Sequence, residues 1–284
     1  MADVPATADA ALEHAAAALR AAGVPDPRRE AARLAEAAWK LDQGQARLRR
    51  ERVLSAADAD RLAGLVRRRA AGEPLAHVSG YAGFRHLVLA SDARALIPRP
   101  ETEGLVALVL ERTAEGMVAD VCTGSGCIAL ALAQEGRYDR VIGTDCSGEA
   151  LDLARENAGR AGLAVEWRLG NLLEPLRGER LDVLVANPPY LTQDEYTALE
   201  PAVRAWEPRL ALESGEDGLT ATRELLRAGL DVVRPGGWIA LEVDCHRAAA
   251  VARLAAGFGW VEPAVHQDLF DRARFVLARR SETS

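Results

Sequence analysis

From Met117 onward, short apolar runs recur at a spacing that leaves room for a helix between most of them. They predict strands near 117–121, 140–144, 164–168, 182–186, 237–243, 260–265 and 274–279. Strands alternating with helices form a parallel sheet covered on both faces, with ligands at the carboxyl ends of the strands. Before residue 73 the pattern is helical and rich in alanine. Thr7 stands as the N-cap of a helix closed by Gly23 and Pro25. Asp26-Pro27 supplies the N-cap and first residue of a second helix running through Trp39. Ser55 opens another, with Leu62, Leu65 and Val66 on its apolar face and Gly72 and Pro74 as stop signals. Val78-Ser79-Gly80-Tyr81 and Phe84-Arg85-His86-Leu87-Val88-Leu89 then read as the strand pieces of a hairpin. The expected organisation is a small all-helical domain over 1–72, a β-hairpin linker over 73–100 and an α/β domain over 101–284.

The strand ends carry the candidate chemistry. The first runs into Asp120-Val121-Cys122-Thr123-Gly124-Ser125-Gly126-Cys127, a glycine-bearing turn before a helix, where backbone amides are open to a ligand. Asp145 ends the second strand and offers a carboxylate to the hydroxyls of a ribose. The third leads to Gly170-Asn171-Leu172, where a polar side chain is placed to read an adenine edge. The fourth, Leu181-Asp182-Val183-Leu184-Val185-Ala186, stops at Asn187-Pro188-Pro189-Tyr190. Prolines have no amide hydrogen, so the backbone here offers carbonyl oxygens without matching donors. Asn187 adds an amide oxygen and Tyr190 a flat ring, a set suited to holding a planar NH₂ group. A strand ending in a proline turn is the plainer reading of the tetrapeptide alone.

Loop and acid together fit a nucleoside cofactor, either NAD or S-adenosyl-L-methionine. The loop is not Gly-x-Gly-x-x-Gly, so a pyrophosphate cradle is poorly supported. The four strand ends taken together select S-adenosyl-L-methionine. Cys122, Thr123, Gly124, Ser125, Gly126, Asp145, Asn171, Leu172 and Asn187 are the expected cofactor contacts, and no metal is expected.

Charge narrows the partners. Residues 1–72 carry 13 basic and 10 acidic side chains, so of the 35 and 42 in the whole chain the remainder holds 22 and 32. An acidic main domain argues against nonspecific nucleic-acid binding. Arg47, Arg49, Arg50, Arg52 and Arg67, Arg68, Arg69 gather in the helical part, as a solvated face or a docking surface. Residues 1–5 have no basic flank before an apolar core, and no charge-free apolar run reaches membrane-spanning length. Cys122, Cys127, Cys146 and Cys245 lack metal-site or redox-motif spacing, and Cys245-His246 reads as structural. A reduced, cytoplasmic monomer is the expectation.

With these residues in view, the chain resembles the glutamine methyltransferases of peptide-chain release factors, the PrmC/HemK family. The resemblance covers nearly the whole length and is carried by Ile97-Pro98-Arg99-Pro100-Glu101-Thr102-Glu103, Thr123-Gly124-Ser125-Gly126, Asn187-Pro188-Pro189-Tyr190 and Glu207-Pro208. It implies a seven-stranded Rossmann-like class I methyltransferase domain after the helical one. It also implies methyl transfer to the N5 amide nitrogen of the glutamine in the Gly-Gly-Gln motif of class-1 release factors, leaving S-adenosyl-L-homocysteine. Asn187, Pro188 and Tyr190 would be catalytic. Asn187 and the Pro188 carbonyl would accept the substrate N–H bonds while Tyr190 packs on the amide plane, and Pro189 would complete the substrate contacts.

Departures from the family pattern are Cys122 for glycine, Asn171 for aspartate, Asp244 for glycine after Leu-Glu-Val, and Phe270-Asp271 in a turn that usually contains glycine. Three other readings stay open: a ribosomal-protein glutamine methyltransferase, a DNA adenine N6-methyltransferase, and a non-catalytic adaptor that has lost its cofactor.

Overall fold

The computed structural model describes residues 7–42 and 44–282. The reading of residues 1–5 as lacking a signal peptide lies outside them. Contacts divide the chain into two compact units, Met1–Tyr81 and Ala82–Ser284.

In the first unit, α1 (Ala8–Ala21) starts where the Thr7 hydroxyl accepts from the Ala10 amide, and α2 (Pro27–Trp39) where Asp26 accepts from Arg29. A short α3 (Gln45–Leu48) precedes α4 (Ala56–Ala70), capped by Ser55 through the Asp58 amide. Their apolar faces close over Leu19, Leu34, Trp39 and Leu62. The capping signals thus work as their residue types require. Two expectations fail here. Of Val78-Ser79-Gly80-Tyr81 only Tyr81 is in a strand, because Leu75–Ser79 forms the helical turn α5, begun at Pro74 and closed by Gly80 at φ 82°. The left-handed glycine ends the turn and releases the chain into β1 (Tyr81–Phe84), which pairs with β2 (Leu87–Ala90). Nor is the run over 84–89 one strand piece, since Arg85-His86 makes the hairpin turn, with Arg85 at a left-handed φ of 50°.

The second unit is built on a seven-stranded sheet. In chain order come α6 (Glu103–Arg112), β3 (Glu115–Val121), α7 (Cys127–Glu135), β4 (Arg137–Asp145), α8 (Gly148–Ala161), β5 (Glu166–Leu169) and β6 (Leu181–Ala186). There follow α9 (Gln193–Ala198), α10 (Pro201–Trp206), α11 (Thr220–Val232), β7 (Val233–Glu242), α12 (Ala248–Phe258), β8 (Trp260–Gln267) and β9 (Ala273–Arg280). The strand order is β5-β4-β3-β6-β7-β9-β8. Alternate residues of one strand serve opposite layers. Ala119, Val121, Leu184 and Ala186 pack with Leu225 and Val251, whereas Val118, Val183 and Val185 pack with Leu105 and Leu130. Burial on both faces is why these strands read as continuous apolar runs.

The sheet is not wholly parallel, as the alternation had suggested. β9 runs antiparallel to both β7 and β8. Only residues 268–272 join β8 to β9, and a parallel pair needs a crossover of a dozen or more residues. Asp268 organises this tight loop by accepting from the Phe270 and Arg272 amides, and Asp271 takes a left-handed φ of 58° where a glycine would be usual. The reversal brings the start of β9, not its end, to the carboxyl edge of β3, β4, β6 and β7. Among the described residues, no helix is long and apolar enough to cross a membrane.

Candidate active site

A cavity of about 560 Å³ opens at the carboxyl ends of β3, β4 and β6, within the size range of small-molecule sites. Cys122, Thr123, Gly124, Ser125, Asp145, Asn171, Leu172, Asn187 and Pro189 all line it. Four segments distant in sequence therefore meet in one place because parallel strands deliver their ends to one edge.

The glycine turn is held from three sides. The Gly124 amide donates to Asp145 Oδ2 at 2.9 Å, and the Ser147 amide donates to Asp145 Oδ1 at 2.9 Å. Each carboxylate oxygen has further lone pairs for ligand hydroxyls. Beneath the turn, fully buried Asp120 accepts from the Thr123 hydroxyl at 2.5 Å and the Ala129 amide at 3.1 Å. Burial pushes Asp120 up to about 7, against the pull of those two donors. On the third side Asn157 of α8, 1% exposed, donates to the Ser125 carbonyl at 3.0 Å and pairs with the backbone of Ala90 in both directions. This residue ties the hairpin to the turn. No local motif marks it, since its role exists only once α8 has docked.

Gly126 stands apart from the other expected contacts. It does not line the cavity; at φ 82° it begins α7, and a Cβ there would lie 2.9 Å from the Trp167 ring. Cys122 also sits in the left-handed region, at φ 60°, where a side chain is strained. Burial raises the Cys122 thiol well above its ordinary range and pushes Cys127 up to about 12, so neither is a thiolate nucleophile at neutral pH. Asn171 is exposed at the rim.

At the far side, Asn187 follows β6 with Pro188 buried behind it. Its Nδ2 donates to Thr102 Oγ1 at 3.4 Å, joining the end of β6 to residues 97–103. The amides of Tyr190 and Leu191 both donate to the Leu212 carbonyl, at 3.1 and 2.8 Å, fixing the path of the chain after the prolines. Tyr190 is not part of the cavity lining; burial pushes its hydroxyl up to about 12, in the neighbourhood of Glu242, Arg274 and Arg99. Arg99 in turn pairs with buried Glu207 at 2.6 Å. That pair ties residues 97–103 to residues 208–211, of which Pro208, Leu210 and Ala211 form another wall.

Asp244, Cys245 and His246 offer ligand atoms within 4.8 Å of one another, a grouping that the spacing of cysteines alone did not reveal. Asp244 already accepts from the His246 amide and faces Arg247 at 3.4 Å, which accounts for the grouping as a local turn.

The release factor glutamine methyltransferase of Deinococcus radiodurans is 41% identical over 95% of this chain and 97% of its own length. That of Moorella thermoacetica is 43% identical over 96% of this chain and 98% of its own. This chain belongs to the release factor glutamine methyltransferase family. Two domain families divide the member accordingly, the PrmC N-terminal domain over residues 10–80 and the methyltransferase small domain over 102–211.

Among solved structures, a methyltransferase from Pyrococcus furiosus superposes with a TM-score of 0.53 at 17% identity, over 69% of this chain and 89% of that one. A Thermus thermophilus 16S rRNA methyltransferase, solved with AdoMet and guanosine, gives 0.51 at 16% identity over 70% and 49%. Both likenesses are of fold, and the family member carries the class I methyltransferase fold behind a helical domain. It is an S-adenosylmethionine-dependent methyltransferase by family and fold.

Proposed function

We propose that this enzyme methylates the N5 amide nitrogen of the glutamine in the Gly-Gly-Gln motif of class-1 peptide chain release factors. The observation that carries the reading is the position of Asn187, on the wall of the same cavity as Gly124 and Asp145. A nucleoside cofactor fits the residues present: the Asp145 carboxylate suits two ribose hydroxyls, and Cys122, Leu172 and Ile97 give the cavity apolar wall. When bound, S-adenosyl-L-methionine supplies an electrophilic sulfonium methyl, so that an S–C bond breaks, an N–C bond forms and S-adenosyl-L-homocysteine is left.

An amide nitrogen is a weak nucleophile because its lone pair is delocalised into the carbonyl. Orientation is therefore the main work of the protein side chains. Asn187 Oδ1 and the Pro188 carbonyl accept the two N–H bonds of the substrate amide, Tyr190 packs beside its plane, and Pro189 completes the substrate contacts. The product loses its extra proton to solvent afterwards, so no strong base is required.

The first unit serves as the docking surface for the release factor. Leu48 is 85% exposed between exposed Arg47 and Arg49, and Val53 of the same unit is 76% exposed, an apolar and basic combination suited to a protein partner. A reducing, cytoplasmic location accords with four free cysteines, and the acidic second unit disfavours direct binding of nucleic acid. The enzyme is read as a monomer.

Incubation with radiolabelled cofactor and a purified release factor tests the assignment. Label should enter the wild-type factor and not one whose motif glutamine is changed to glutamate. Asn187→Ala should lower kcat by the equivalent of about 2–4 kcal/mol, the scale of one positioned polar contact. Tyr190→Phe should cost little and Tyr190→Ala much more. Label on the glutamate variant, or on adenine in DNA but not on release factor, would overturn the reading.

A further inference from the structure

Glu242 is the last residue of β7, next to β6, and only 2% exposed. A carboxylate so buried needs partners, and its Oε2 has none. Burial pushes it up to about 7, helped by the charge of Glu101, while the nearby side chains of Thr102 and Asn187 and the charge of Arg274 favour its ionised form. Ala186 pairs with Leu241, so the ends of β6 and β7 set Asn187 and Glu242 side by side. Thr102 is likewise 2% exposed and lines the cavity. Its hydroxyl accepts from Asn187 Nδ2 at 3.4 Å. Neither residue belongs to the apolar layers on the two faces of the sheet. Thr102 bonds the one side chain on which the orientation of the substrate depends, and Glu242 lies beside it across the β6–β7 pair.

The direction of these bonds is set by chemistry. An ionised carboxylate only accepts, a hydroxyl has one hydrogen to give, and a carboxamide has one donating end and one accepting end. Above about pH 7 Glu242 is ionised, so the Thr102 hydrogen points to Glu242 and its lone pairs face Asn187. The NH₂ end of Asn187 must then turn toward Thr102 and Glu242, which leaves Oδ1 for the cavity. Without this constraint the carboxamide turns over at little cost and presents NH₂ to the NH₂ of a substrate, donor against donor.

We propose that Thr102 and Glu242 are positioning residues for methyl transfer, a hydrogen-bonded chain that fixes which end of Asn187 faces the substrate amide. The proposal rests on Asn187 being the acceptor for that amide. Neither residue need touch the substrate, and their effect is exerted through Asn187.

Isosteric replacement in the full-length enzyme tests it. Thr102→Val keeps the shape and removes the hydroxyl; Thr102→Ser restores the hydroxyl; Glu242→Gln keeps the size and removes the obligate acceptor. Cofactor Kd by calorimetry, kcat and KM for release factor, and melting temperature are measured for each. The expected pattern is a fall in kcat of about 10–100-fold for Thr102→Val and Glu242→Gln, with cofactor Kd unchanged and Thr102→Ser within about threefold of wild type.

Equal loss in Thr102→Val and Thr102→Ser would mean that packing, not the hydroxyl, matters, and would overturn the chain. Wild-type kcat in Thr102→Val and Glu242→Gln beside an inactive Asn187→Ala would overturn it while leaving Asn187 in place. Wild-type kcat in Asn187→Ala itself would remove the underlying reading. Should Thr102→Val not fold, Glu242→Gln with Thr102→Ser decides: full kcat in Glu242→Gln refutes the chain, and a loss there alone, at unchanged Kd, supports it.

Discussion

The Gly124 amide donates to Asp145 Oδ2 at 2.9 Å, so the acid that ends β4 is also the clasp of the turn that follows β3. Ligand recognition and loop geometry are therefore joined in one carboxylate. Asp145→Ala removes an acceptor from the cofactor and from the Gly124 and Ser147 amides together. Calorimetry should find affinity for S-adenosyl-L-methionine reduced by roughly 1.5–3 kcal/mol. Asp145→Asn should do nearly as badly, because its NH₂ would face one of the two backbone N–H groups. Wild-type affinity in either folded variant would mean that the ribose is held elsewhere.

Cys122 holds a left-handed backbone conformation with its side chain against the core layer of α11 and α12. Cys122→Gly relieves about 1 kcal/mol of strain and forfeits a similar amount of burial. Stability in denaturant should move by less than about 1 kcal/mol. Cys122→Val adds a β-branched side chain where the left-handed region tolerates it least, and should cost at least about 2 kcal/mol.

Asp120 and Glu242 are both pushed up to about 7 by burial. Their folded values lie above the ordinary carboxylate value of about 4, so between those limits the folded state holds protons that the unfolded chain has released. The stability they contribute is complete below about pH 4 and is lost as pH rises towards about 7. Asp120→Asn keeps an acceptor for the Ala129 amide and does not titrate. Its stability relative to wild type should therefore improve with rising pH across this window, by at most roughly 4 kcal/mol. Denaturation at pH 5 and pH 8 checks the sign, and a relative loss at pH 8 would contradict it.

Arg52 and Arg69 are engaged within the first unit, with Asp58 at 2.8 Å and Glu30 at 2.6 Å. Among the described residues, Arg47, Arg49 and Arg67 have no ion pair and are exposed. The triple change Arg47→Ala, Arg49→Ala, Arg67→Ala should raise KM for release factor, more at low salt than at high, with cofactor Kd unchanged. Arg69→Ala should lower the melting temperature, since its partner Glu30 is half-buried beside it. Wild-type KM in the triple variant at low salt would remove these arginines from docking.

Elements whose signals are local were legible. Thr7, Asp26 and Ser55 cap helices as their side chains demand, and the apolar runs became the strands of the sheet. What escaped depends on partners far along the chain. The run over 274–279 carries no information on strand direction, and its reversal follows from the brevity of the loop before it. Val78-Ser79-Gly80 looks strand-like because Pro74 and Gly80 bracket a single helical turn, too short for periodicity to show. In the site, the glycine turn, Asp145 and Asn187 could be found because motifs mark them. Asn157, Thr102 and Glu242 could not, because each acquires its partner only when α8, residues 97–103 and β7 are packed.

Because β9 runs against its neighbours, it delivers Arg274 to the neighbourhood of Tyr190 and Glu242 and then travels away from the cavity. It ends at Arg280, whose guanidinium donates to the Val233 carbonyl at the start of β7, on the opposite edge of the sheet from Asn187. An affinity tag or surface tether joined after β9 therefore emerges behind the sheet. Enzyme immobilised this way turns the carboxyl edge of the sheet, where the cavity opens, away from the support.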